Sequence, residues 1–525
     1  MCMVLPSPRI ASAFAVHFAP YGAVTRLARQ RGVCRQWLYR EAAWVTDALQ
    51  TAADRADNKR LQQRLRQLQQ ANAALRQRLD QAVVLDADKQ AEFATVGQAR
   101  GVSLPDLHAL LETLVPGQAA SVATLGRRAQ QAGRRAGALL AVLDPLTRPH
   151  VRQAVADEIY VPQPVRMLVG PESLCWLSGR RVERLDGAGW AEELRQLPNL
   201  SQVIRDAGSC LGKGVADLNR QRARQGQPAV ADQLDHFHVL REGGRGVTRA
   251  ERAAAGAQQA LAAAEAEVAR RRRASRKDQP VGGALSHLRA CRVRAERALN
   301  AWVEQDRLWQ QAKAAVQRFT PEGELNSRAR AEAVLAEVLP QLPEATFAGV
   351  KGLLRRRQTL TYLDEVGRRL EELPVAAELR QAAARQEGLR RQPELLAGNT
   401  AQAAALRALA LIGAVVLAKA GAAGEQAVQA VRGVLRSTWR ASSLVECVNS
   451  VVRMQQARHR KLSQGLLDLK RLYWNSHRFR SGRRRETTPY QRLGVPWPEG
   501  MRWWEVLRLT PEQLQDKLST AKNAA

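Results

Sequence analysis

The sequence predicts an α/β core that is interrupted by a large all-α insertion and preceded by all-α segments. Three observations lead there. Strand-like apolar runs are confined to about residues 151–242. The roughly two hundred residues that follow are Ala- and Arg-rich, helical in period and almost free of strand signal. The stretch before residue 150 shows helix-periodic patterns punctuated by Gly and Pro. At 525 residues the chain exceeds what one core supports. We expect segments at 1–50, 51–86, 87–150, 151–242, 243–440, 441–482 and 483–525.

The first segment contains YGAVTRLARQRGVCRQWLYREAAWV, Tyr21 to Val45. Ala23, Val24, Leu27 and Ala28 mark one helical face, Gly32 a tight turn, and Val33, Trp37 and Leu38 the next helix. This is helix-turn-helix spacing, whose second helix would present Arg35, Gln36 and Arg40 to a DNA major groove. An ordinary helical hairpin with a basic face has the same pattern. In NKRLQQRLRQLQQANAALRQRLDQAV, Leu61, Leu65, Leu68, Leu75, Leu79 and Ala82 alternate at four and three residues, with Asn72 on the seam. A lone Asn at such a position favours a short parallel two-stranded coiled coil, although a helix packed on its own chain is the alternative. From Val102 to Asp144 a further helical pattern carries Arg127, Arg128, Arg134 and Arg135. It reads either as a second helical DNA-binding unit or as a linker bundle with a solvated basic face. Pro145 and Pro149 are expected to break the helices and mark a boundary.

The core is then expected to run strand (Ala154–Tyr160), turn (Pro162, Pro164), strand (Val165–Gly170), strand (Cys175–Leu177), helix (Trp190–Leu197), strand (Ser201–Asp206), helix (Leu211–Arg224) and strand (Gln233–Leu240). Three antiparallel strands followed by alternating helix and strand make one sheet. A last helix begins near Ser443.

Three carboxylates stand out in this frame. Asp157, in ADEIYVPQPVRMLVG, lies within a strand beside Glu158, and alternation lets only one of the two face a given site. Asp206 ends SQVIRD at the tip of an apolar strand, before the glycines of AGSCLGKG. Glu446 lies one turn into the helix of SSLVECVNSVVR, capped by Ser442 or Ser443. It shares a face with Asn449 and Arg453, three and seven residues on. Singly, these are an edge pair, a strand-end turn and an amphipathic stripe. Together, three carboxylates from two strands and a helix provide the hard oxygen ligands of a two-metal phosphodiester site.

Charge points the same way. Lys and Arg outnumber Asp and Glu by 81 to 50, a net +31 that attracts polyanions. The run Arg270, Arg271, Arg272 and Arg273 is either a solvated face or a track for a phosphate backbone. Past the last helix come Arg458, Arg460 and Lys461, then RLYWNSHRFRSGRRR. There Trp474, Arg478 and Arg480, with Tyr473 and Phe479, mix cations with rings as strand-binding surfaces do. Six scattered cysteines form no CxxC pair or zinc spacing and read as reduced thiols. The N-terminal stretch lacks the layout of a signal peptide. The uncharged run Ala408–Ala418 is too short to span a bilayer. A soluble intracellular protein is therefore expected.

The order Asp157, Asp206, Glu446, with a long helical segment before the last, resembles a DDE transposase of the ribonuclease H-like type. SSLVE, LDLKRLYWNSHRFR and TPYQRLG strengthen the similarity to bacterial insertion-sequence transposases, and the resemblance runs from about Gly22 to about Leu507. In DQLDHFHVLRE, Asp235 and His238 resemble the Cys/Asp-x-x-His element of hAT-like and Mutator-like transposases, whose sheets carry similar helical insertions. The resemblance favours Asp157 over Glu158 as first ligand. It implies two Mg2+ (or Mn2+) ions on Asp157, Asp206 and Glu446, supported by Asp235, His238, Asn449 and Arg453. It further implies double-stranded DNA partners (the element's terminal inverted repeats and a target), a homodimer or higher oligomer, and a nucleoid-associated cytoplasmic location without a membrane. An inactive transposase-derived DNA-binding protein or repressor is the alternative. A structural coiled-coil DNA-bridging protein is a third reading, which the strand-rich segment disfavours.

Overall fold

The computed structural model describes residues 8–52, 58–82, 85–274, 281–391, 400–456, 462–498 and 500–524. The chain forms two compact units, one of residues 1–86 with 111–118 and one of residues 87–110 with 119–525.

In the smaller unit, α1 (Pro8–His17), α2 (Ala23–Arg31) and α3 (Arg35–Ala52) close over Ala28, Leu38, Ala42 and Val45. The turn after α2 follows from Gly32, whose φ of 67° is left-handed. Its amide and that of Val33 return to the carbonyls of Arg29 and Ala28 at 3.3 and 3.0 Å, a C-cap that only Gly adopts without strain. The expected helical pair is therefore present, with α1 packed on α3 as a third member. Trp37, expected on the inner face, is 41% exposed, because Leu38 takes the buried position. α4 (Asn58–Ala82) is a 25-residue helix with Leu65, Leu68 and Asn72 exposed. The other seam side chains, Leu61, Leu75, Leu79 and Ala82, lie outside the described residues.

The larger unit begins with α5 (Ala87–Ala99), α6 (Leu104–Leu114, its last turn assigned to the smaller unit) and α7 (Val122–Thr147). These were expected as a unit apart from the core, either DNA-binding or a linker bundle with a solvated basic face. Instead Ala132, Ala136, Leu139, Leu140 and Leu143 of α7 are buried in the same cluster as the sheet. α7 also continues through Pro145, which falls in its last turn and so forfeits only one backbone hydrogen bond.

The sheet comprises β1 (Gln153–Val161), β2 (Gln163–Val169) and β3 (Trp176–Arg181), then β4 (Gln202–Arg205) and β5 (Ala231–Leu234). α8 (Gly187–Arg195) precedes β4, and α9 (Ser209–Arg224) follows it. The strand order is β3-β2-β1-β4-β5, with β1, β2 and β3 antiparallel and β4 and β5 parallel to β1. Alternation splits the sheet's side chains between two cores. Ala154, Ala156, Leu168 and Val203 pack with α7, Trp190 of α8, and Leu211 and Val215 of α9. Val155, Ile159, Val165, Met167 and Ile204 form the other face.

The insertion starts earlier than expected. A strand was expected through Leu240, but β5 ends at Leu234 and α10 (His236–Ala274) begins two residues later. Asp235 causes the switch, because its Oδ1 accepts the amide of Phe237 at 2.9 Å and so caps the helix start. α10 and α11 (Gly282–Ala315) form a long antiparallel hairpin. α12 (Arg328–Gln341), α13 (Glu344–Leu354), α14 (Thr361–Glu371), α15 (Ala377–Arg391), α16 (Thr400–Lys419) and α17 (Gly421–Ser437) complete the insertion. Among the described residues its one extended pairing is the isolated bridge Phe319–Leu325. The run Ala408–Ala418, expected to be too short for a bilayer, lies inside the longer helix α16. Ala401–Lys419 passes by length and composition because a helix continues through Arg407, and 22% of that window is buried.

After the insertion, α18 (Ser443–Gln456), α19 (Gln464–Ser476), α20 (Pro489–Leu493) and α21 (Trp503–Val506) lead to α22 (Pro511–Ala524). Val445, Val448 and Val452 place α18 on the Val155–Ile159 face of the sheet. The expected basic, aromatic C-terminal tail is instead part of the core, where Tyr490, Trp503, Val506, Leu514 and Leu518 are buried with α7.

Candidate active site

Parallel pairing of β1 with β4 ends at Ala156 opposite Arg205, and pairing of β4 with β5 ends at Arg205 opposite Leu234. The next residue of each strand is Asp157, Asp206 and Asp235. Three aspartates thus stand in one row across three parallel strands, about 4.8 Å apart from strand to strand: Asp157 in the middle of β1, which continues to Val161 paired with β2, and Asp206 and Asp235 just past the ends of β4 and β5.

Asp157 faces α18. It is 7% exposed, its Oδ1 accepts the amide of Glu158 at 2.8 Å, and its Oδ2 accepts Nδ2 of Asn449 at 2.6 Å. Burial, and then the charges of Asp206 and Glu446, push its carboxyl up to about 6, although the two hydrogen bonds act the other way. Glu158 points to the opposite face, where its Oε1 accepts Nε1 of Trp190 at 2.7 Å. Asp157 is therefore the member of the pair on the side of Glu446. Asp206 is half-buried, and its Oδ1 accepts the amide of Gly208 at 3.0 Å. A Cβ at Gly208 would lie 2.9 Å from that oxygen, so the glycine is what lets the backbone come this close.

Glu446 is in the first turn of α18, 33% exposed, and accepts Nη1 of Arg453 at 2.8 Å. Asn449 is fully buried between Glu446 and the sheet, and its Oδ1 has no partner. The expected shared face of Glu446, Asn449 and Arg453 thus holds, with Asn449 directed to Asp157. Ser442, one of the two expected caps of α18, is turned to Asp235 instead. The Ser442 hydroxyl donates to Asp235 Oδ2 at 2.6 Å, and its amide donates to Oδ1 at 2.9 Å.

Asp235 is a bracket that ties the start of α10 to the approach to α18. Its hydrogen bonds with His238 and Ser442 outweigh burial and hold its carboxyl below the usual range, so it is ionised and can only accept. His238 Nδ1 must therefore carry the proton it shares with Asp235. That bond, and the charges of Asp157 and Asp206, raise the His238 pKa, which places the ring beside the aspartate row. His236, expected on the other side of a strand, is buried against Tyr362 with both ring nitrogens unpartnered.

The residues expected to touch DNA divide. Arg35, Gln36 and Arg40 are exposed on one side of α3. Arg270 and Arg271 share Glu267 as ion-pair partner, while Arg272 and Arg273 are exposed. This run was expected beside the core, but it ends α10, about 50 Å along the helix from His236. Arg478 and Arg480 are exposed, whereas Trp474 packs on Phe479 and donates Nε1 to the Leu174 carbonyl at 2.8 Å. Trp474 is therefore a packing residue, and Tyr473 is likewise taken up by His477 and Trp503. Arg458, Arg460 and Lys461 lie outside the described residues.

As a donor set for hard divalent cations the arrangement fits. It offers carboxylate oxygens from three elements, an unpartnered amide oxygen at Asn449, and an Asp157 carboxyl whose pKa is raised by burial and then by its acidic neighbours. Among the described residues no three acidic, His or Cys side chains already converge closely enough to hold an ion. No family model matches the chain, and no curated protein or solved structure matches it either.

Proposed function

We propose that this chain is a DDE transposase with a ribonuclease H-like core, which cleaves the ends of its mobile element and joins the freed 3'-hydroxyl to target DNA. The observation that carries this reading is the placement of Asp157 within β1 beside Asp206 just past the end of the neighbouring β4, with α18 carrying Glu446 over the same sheet face near enough for its charge to act on Asp157. The sheet order, with three antiparallel strands and two parallel ones, supports the ribonuclease H-like part. Asp157, Asp206 and Glu446 would hold two Mg2+ or Mn2+ ions, which supply Lewis-acid stabilisation of the attacking and leaving oxygens. Asn449 fixes the Asp157 carboxylate, and Asp235 fixes both His238 and the approach to α18. His238, with Nδ1 committed to Asp235, presents Nε2 to the phosphate side as a donor when protonated. Arg453, once released by Glu446, is placed to neutralise phosphate charge.

One observation favours a second reading. The Glu446–Arg453 pair holds the third carboxylate away, as it would in a derivative that only binds DNA. A supercoiled plasmid carrying the DNA that flanks this gene separates the two. The unaltered protein should nick it at inverted repeats with Mg2+ or Mn2+. Asp206→Asn should bind the same repeats within about twofold but lose cleavage by at least 10³-fold. Binding without any metal-dependent cleavage by the unaltered protein would select the second reading.

A further inference from the structure

Where the insertion rejoins the core, basic side chains gather without a hydrogen-bonded carboxylate, although the charges of Glu365, Glu172 and Glu372 act on Arg369. Arg318 lies under the end of α17, donating Nη2 to the Thr438 carbonyl at 2.7 Å and Nη1 to that of Leu435. Arg369 donates to the Thr438 and Ser437 hydroxyls at 3.0 and 2.7 Å. Arg440 lies over the Tyr362 ring, 5.5 Å from its centre, with Nη2 on Gln317 Oε1 at 3.0 Å. Every one of these partners is neutral. Nε of Arg318, Nη1 of Arg440 and both nitrogens of His236 are buried without any partner. Burial, and then the charges of Arg440, Arg391 and Arg369, bring Arg318 down to about 9, so the groups repel one another.

Capping of α17 accounts for Arg318 and Arg369, because a helix carboxyl end attracts cations. It does not account for Arg440, which is turned into the same space with a spare N–H. A buried cation without a counter-charge is costly, and the remedy is an anion. Arg369 and Arg440 are half-buried, so the cluster has access to solvent. Guanidinium groups match the oxygens of a phosphate in a way that Lys does not.

We propose that Arg318, Arg369 and Arg440 form a phosphate-binding site that takes a backbone phosphodiester of the bound DNA. The choice of DNA over free phosphate rests on the function proposed above. Position favours it as well. The Arg440 carbonyl accepts the His236 amide at 2.9 Å, and Arg440 stands two residues before Ser442, which Asp235 holds. A strand anchored here is held at the root of the segment that delivers Glu446.

The test uses the full chain with Arg369→Gln, Arg440→Gln and Arg440→Lys, and circular dichroism confirms that each variant is folded. Affinity for a labelled duplex of the element end is measured across salt concentrations. Inorganic phosphate against chloride at equal ionic strength is read separately as a thermal shift. Each Gln variant should weaken duplex binding on the order of tenfold and lower the salt slope by about 0.9, with the slope restored in Arg440→Lys. Unchanged slopes in both folded Gln variants would overturn the proposal. If phosphate stabilises the unaltered protein alone while the duplex slopes stay equal, the site takes a free ion and the DNA assignment is overturned. The salt slope is independent of cleavage, so failure of the transposase reading is recognised separately by the Asp206→Asn experiment.

Discussion

At Asp157 burial and neighbouring charge act in one direction. With its pKa raised to about 6, the protonated form is the one the ion-free fold favours. The stability this confers is complete below the ordinary value of 3.8 and is lost as pH rises through 6. The loss is on the order of 3 kcal/mol. A divalent cation reverses the sign, because it favours the carboxylate. Mg2+ should therefore raise the melting temperature more at pH 7.5 than at pH 5, and Asp157→Asn should remove that difference. Equal Mg2+ shifts at both pH values would defeat the assignment. The Asp235–His238 pair titrates nearby, and its contribution from the raised His238 is also lost with rising pH, so the Asn variant is the necessary control. These side chains were legible to different degrees. Asp157, Asp206 and Glu446 could be picked out because carboxylates inside an apolar strand, at a strand tip and in a first helical turn are conspicuous. The Asp235 bracket was hidden, because which helix approach it would hold depends on the return of a chain 207 residues later.

At the scale of elements, the strands were readable where sequence and burial agree. β1, β2 and β4 are buried apolar runs. The junction of β5 with α10 was misread, since an Asp after a short apolar run suits a continuing strand as well as a helix cap. α19 was misread for a related reason. Cations and rings at helical spacing look the same whether they stack on bases or, as with Trp474 and Lys470, line a core. α4 makes a prediction of its own. Leu65 and Leu68 are 58% and 60% exposed on a helix with heptad spacing, a surface that a second copy would cover. The protein should sediment as a dimer at micromolar concentration without DNA. Leu65→Lys with Leu68→Lys should give a monomer that binds one element end but does not pair two. A monomeric unaltered protein would rule the coiled coil out.

Across the whole molecule, the charge of +31 is unevenly used. Many arginines of the insertion are tied up in ion pairs, as at Glu267, Glu304 and Glu387. The exposed cations that remain at the end of the hairpin, Arg272 and Arg273, lie far from the aspartate row. α10 begins at that row and carries them about 50 Å away, a distance that corresponds to about 15 base pairs of duplex. The hairpin can therefore act as a measuring rod. DNA that ends short of it offers nothing for its tip to hold, so affinity should step down once a duplex extends fewer than about 15 base pairs from the cut position. Arg272→Ala with Arg273→Ala should erase the step while leaving short duplexes bound as before. A smooth dependence on length in the unaltered protein would argue against it. On the proposed transposase function, the rigidity of two paired helices would then set how much element sequence must survive at each end for the element to remain mobile.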